Sequence, residues 1–62
     1  MSKVELFSML RGSGVIVENV KGYPDTYFVD AGYKNQPLPN WLWDSGWGIS
    51  TCGFGRAFIW ER

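Results

Sequence analysis

The chain has 62 residues, one cysteine, no histidine, and six basic side chains balanced by six acidic ones. That length makes one domain, and the residue set excludes an internal disulfide, a structural zinc site and any Ser-His-Asp or Cys-His catalytic machinery. Charges of both signs are spread along the chain, so neither the basic footprint of a nucleic-acid binder nor a strongly acidic surface is present.

The first element is predicted to be a short helix. Ser2 and Glu5 have the spacing of a capping box, and Met1 and Leu6 are placed for a hydrophobic staple. Leu6, Met9 and Leu10 share a helical face with Phe7 beside it. Arg11 stands in the last turn and Gly12 supplies the stop. Gly12-Ser13-Gly14 is a flexible break, and Val15 to Val20, rich in β-branched residues, reads as a strand. Lys21-Gly22-Tyr23-Pro24-Asp25 is turn chemistry. Thr26 to Tyr33 follows as a second strand, with Tyr27, Val29, Ala31 and Tyr33 on one face, so the pair predicts a β-hairpin.

Lys34 to Asn40 reads as a loop in which Pro37-Leu38-Pro39 holds an extended path. Trp41 to Asp44 is predicted as a short strand with two indoles on one face. After a turn at Asp44-Ser45-Gly46, Trp47 to Thr51 forms another strand. Cys52 to Gly55 bends, and Arg56 to Glu61 closes the chain with Phe58 and Trp60 on one face and Ala57 and Ile59 on the other. The sum is a small, β-dominated α+β domain: one N-terminal helix and four or five short strands in an antiparallel sheet or partly closed barrel. No crossover helix separates the strands, which argues against parallel pairing.

A chain this short removes only about 60% of its unfolded surface from water, and small domains usually need a staple. With disulfides and zinc excluded, a core of large aromatics or self-association must serve. There are eleven aromatics, and all four tryptophans fall between Trp41 and Trp60. A core this small cannot hide them all, and exposed aromatic clusters mark contact sites. The Trp41-x-Trp43-x-x-x-Trp47 cluster is the sharpest feature. Trp, Tyr and Arg dominate interface energetics, so Trp41, Trp43, Trp47, Trp60, Arg56 and Tyr23 are the candidate partner-binding residues.

Other constellations carry less. Gly12-Ser13-Gly14 and Gly53-Phe54-Gly55 precede no helix signal, which removes the phosphate-cradle reading. Cys52 has no cation beside it in sequence to activate a thiolate and is expected to be inert and at least partly buried. The acids are scattered, without a paired catalytic set. No stretch approaches a membrane span or a leader peptide. A lone cysteine without a leader predicts a reducing cytoplasm, and a start at methionine with no obvious tag after Arg62 predicts a complete small gene product.

The expected function is therefore non-enzymatic. The chain reads as a protein-binding module, an inhibitor or adaptor docking an aromatic surface on a larger protein, with phage-type accessory proteins as a prior from size alone. It should need no cofactor or metal, and should self-associate as a homodimer or higher homo-oligomer to hide surplus aromatics. Two alternatives remain. One is single-stranded nucleic acid stacked on a small barrel, disfavoured by the missing positive groove. The other is a small ligand or sugar on indole faces, with Asn40 and Asp44 as polar contacts.

Overall fold

In the computed structural model, which describes residues 2–62, the N-terminal signals produce helix α1 (Lys3–Gly12). Ser2 caps it in extended backbone, its hydroxyl accepting from the Glu5 amide at 3.2 Å. Leu6 and Leu10 are fully buried, Phe7 packs beside them, and Met9 is exposed. The staple expected between Met1 and Leu6 involves Met1, which lies outside the described residues.

The glycine that turns the chain out of the helix is Gly14, not Gly12. Gly14 takes a positive φ of 81°, its amide bonds to the Arg11 carbonyl, and the Val15 amide bonds to the Leu10 carbonyl at 2.9 Å. This is the pair of hydrogen bonds of a Schellman ending, which needs a left-handed residue just past the cap. Val15 and Leu10, brought together by it, are both buried. The Tyr33 hydroxyl then donates to the Gly14 carbonyl at 2.7 Å, tying the helix end to the middle of the chain.

Four strands follow: β1 (Ile16–Asn19), β2 (Thr26–Asp30), β3 (Gly48–Gly53) and β4 (Arg56–Trp60). They form one open sheet in the order β1-β2-β4-β3, with every neighbour antiparallel. The sheet is not closed into a barrel. The hairpin turn between β1 and β2 is organised by Asn19, whose side-chain amide donates to the Tyr23, Pro24 and Thr26 carbonyls. The second strand is shorter than its pattern suggests: at Gly32–Lys34 the chain winds into a 3-10 turn. That turn packs on the β3–β4 hairpin, where the Ala31 and Gly32 amides both donate to the Gly55 carbonyl.

The strand expected at Trp41–Asp44 does not form. Asn40–Asp44 is a 3-10 turn entered from extended Pro39 and closed by Ser45, whose hydroxyl donates to the Leu42 carbonyl at 2.6 Å. The two indoles therefore do not share a strand face. Instead Leu42 is driven fully into the core, with Leu38 buried just upstream.

The core is a single layer between α1, the loop from Leu38 to Trp47 and one face of the sheet. It contains Leu6, Leu10, Val15, Val29, Ala31, Leu38, Leu42, Trp47, Ala57 and Ile59. Phe7, Tyr27 and Trp47 form an aromatic corner, with Phe7 and Tyr27 edge-on at 4.7 Å and each within about 6 Å of Trp47. Lys3 Nζ donates to the Tyr27 hydroxyl at the rim of this corner.

Trp47→Ala should destabilise the fold by about 3–5 kcal/mol, the usual cost of deleting a buried large aromatic. Trp43→Ala, at a half-exposed position, should stay within about 0.5 kcal/mol. Urea denaturation of the two variants measures the contrast.

Candidate functional site

Alternation along the strands decides which side chains leave the core. In β4, Ala57 and Ile59 are buried while Arg56, Phe58 and Trp60 are exposed. The cross-strand register then assembles the outer face of the sheet in three rows. Ile16, Asp30, Arg56 and Gly53 make the first; Glu18, Phe28, Phe58 and Ser50 the second. Thr26, Trp60 and Gly48 make the third, extended by Val20, whose amide bonds to the Thr26 carbonyl.

Large aromatics occupy the centre of this face. Phe28 and Phe58 are direct cross-strand partners with ring centroids 5.3 Å apart, a pairing that stabilises neighbouring strands by a few tenths to about 1 kcal/mol. Trp60 lies over Gly48 on the neighbouring strand: a Cβ at Gly48 would collide with the indole ring. The missing side chain is thus what lets the indole lie against the sheet. Val20, Tyr23, Thr26, Ser50, Phe58 and Trp60 line a shallow, mostly apolar depression of about 480 Å³.

One end of the face is charged. Arg56 Nε lies 3.2 Å from Asp30 Oδ1, and the Asp30 carboxylate also accepts from the Tyr33 amide. The guanidinium is thereby committed to a cross-strand pair and contributes little free positive charge to the apolar centre.

The six residues singled out from the sequence separate into groups. Trp60, 37% exposed, and Tyr23, 65% exposed, come together at the depression, although 37 positions separate them in the chain. Arg56 shares their face at its charged end. Trp43 is 50% exposed but does not line the depression, and Trp41 is half-buried against the core. Trp47 is 5% exposed, so its indole is not available as a surface anchor. The depression also includes Val20, Thr26, Ser50 and Phe58, which sequence reading did not single out. The alternation of β4 pointed to Phe58; the contribution of Val20 and Ser50 depends on strand order, which no local pattern carries.

Cys52 corrects the expectation of burial. It is exposed, as are its neighbours from Ser50 to Phe54 on the edge strand and its turn, and it is the extra residue where the register slips between Thr51 and Gly53. Among the described residues no three Asp, Glu or Cys side chains converge as a metal site. No helix there is long and apolar enough to cross a membrane. No family model matches the chain, and comparison with curated proteins and solved structures found no similar protein.

Gly48→Ala should lift Trp60 off the sheet. The expected result is a folded protein, by far-UV circular dichroism, whose Trp60 becomes more accessible to a fluorescence quencher in a Trp41→Phe/Trp43→Phe/Trp47→Phe background. Unchanged quenching would mean that the indole does not rest on Gly48.

Proposed function

We propose that the chain is a non-enzymatic protein-binding module, a small inhibitor or adaptor, that docks the outer face of its sheet on an apolar patch of a larger protein. The observation that carries this reading is the placement of Phe28, Phe58 and Trp60 on the face that no other described part of the chain covers. Interface cores combine aromatic residues with few charges, and this face has aromatics at its centre and the Arg56–Asp30 pair and Glu18 at its margins. Tyr23, presented by the turn that Asn19 organises, extends the aromatic surface beyond the strands. The chain exposes 4012 Å² in all, so the roughly 800 Å² per partner of a standard interface would cover about a fifth of it.

Affinity capture with an immobilised chain tests this, comparing Trp60→Ala and Tyr23→Ala with Trp43→Ala. One protein retained at near-equal stoichiometry should be lost with the first two variants, each costing at least about 2 kcal/mol of affinity, and kept with the third. Loss only with Trp43→Ala would move the docking site to the Asn40–Asp44 turn.

A second reading is single-stranded nucleic acid. It is favoured by Phe28, Phe58 and Trp60 standing on adjacent central strands as a stacking platform. It is opposed by charge, because the one cation in the three rows is paired with Asp30 and Glu18 adds a negative neighbour. A fluorescent oligonucleotide should therefore show no saturable binding at low salt. Tight binding that weakens steeply with added salt would reverse the order of the two readings.

A further inference from the structure

The sheet has two edges, and they differ in chemistry. The β1 edge is four residues long and carries Glu18. The β3 edge, Gly48–Gly53, is six residues of Gly-Ile-Ser-Thr-Cys-Gly with no charge and no proline. Ser50, Thr51 and Cys52 are exposed. Among the described residues, no backbone hydrogen bond outside the sheet involves Gly48–Gly53. The backbone groups on the side away from β4 thus lack the charge, proline or covering element by which exposed edges are normally blunted. The bulge at Cys52 disturbs only the end next to the hairpin.

We propose that β3 pairs antiparallel with β3 of a second copy of this chain, joining two sheets into one of eight strands. The choice of occupant follows from the symmetry of such a contact, in which each residue meets residues of its own strand. Across β1 that would bring Glu18 towards its own copy, and like charges facing one another are unfavourable. Across β3 no charges meet, and the zero net charge of the chain adds no long-range repulsion. A two-fold axis at Ser50 sets Ser50 against Ser50 of the second copy and Ile49 against Thr51 of the second copy. That register keeps both outer faces on the same side of the joined sheet. Gly48 and Ser50 are the outward residues at the seam, and because the Trp60 indole lies over Gly48 the aromatic surface of each copy reaches the joint. Dimerisation thus doubles the aromatic surface across the seam. The inference stands on the edge chemistry and does not need the protein-binding reading.

Charge-swapped variants test it. By sedimentation velocity the wild-type chain should dimerise, with amide exchange in β3 slowing as concentration rises. Ser50→Lys and Ser50→Glu each place like charges at the axis and should weaken the dimer at least tenfold. Mixing the two should restore a heterodimer, which also shows that both variants fold. A spin label on Cys52 should report a second label whose Cα lies within about 15 Å, four residues along the strand and one strand across. The proposal is overturned if the wild-type chain stays monomeric to about 1 mM. It is equally overturned if the charged variants dimerise as the wild type does, or if mixing restores nothing. Because Ser50 also lines the depression, the two readings are told apart by Tyr23→Ala, which lies outside β3 and should lose partner capture while keeping the dimer.

Discussion

A ten-residue helix is about 15 Å long, and it shields only one side of a four-stranded sheet. That limit governs the rest of this molecule. With α1 and the Leu38–Trp47 loop committed to one face, no described part of the chain remains to cover the other. The consequence is visible in β4, where the size order expected of a core is inverted. The inward residues are the small Ala57 and the medium Ile59, and the outward ones include Phe58 and Trp60. Large aromatics are placed where their burial contributes least to the isolated fold.

Placement of this kind sets the residues that stabilise the fold apart from those that the proposed interface would use. Stability comes from the aliphatic layer and the Phe7–Tyr27–Trp47 corner, with no buried polar side chain to satisfy among the described residues. The outer aromatics are held in defined positions by local devices: Gly48 beneath Trp60, Phe28 beside Phe58, and Asn19 bracing the turn that carries Tyr23. A surface pre-shaped in this way loses less conformational freedom on association, which raises affinity without any added contact.

Much of the fold was legible in the sequence. The Ser2 cap, the strong β-branched run of β1, the hairpin turn at Gly22-Tyr23-Pro24 and the alternation of β4 are local signals, and the structure follows them. The misreadings have a common cause. Trp41-Leu42-Trp43 is a short apolar run without enough length to reveal a period, and tertiary packing decided it: burying Leu42 required a 3-10 turn. Gly12 was read as the helix stop, whereas the buried pair Leu10 and Val15 sets the left-handed residue two positions later, at Gly14. Trp47 was grouped with its neighbours by proximity in sequence, whereas its burial depends on α1 and β2. The outer face was only half legible. Alternation gave Phe58 and Trp60 a shared side, but bringing Tyr23 and Val20 to them requires β2 to lie next to β4, a pairing between distant halves of the chain.

That pairing also orders assembly in time. β1–β2 and β3–β4 are each closed by a short turn, and hairpins of this kind form in roughly microseconds. The β2–β4 seam joins Thr26 to Trp60 and Asp30 to Arg56, so it must close a much longer loop, at an entropic cost that grows with the logarithm of loop length. The newborn domain is in effect two ribbons awaiting a weld. Until the weld is made, the inner edges of both ribbons are as open as β3 is in the finished fold.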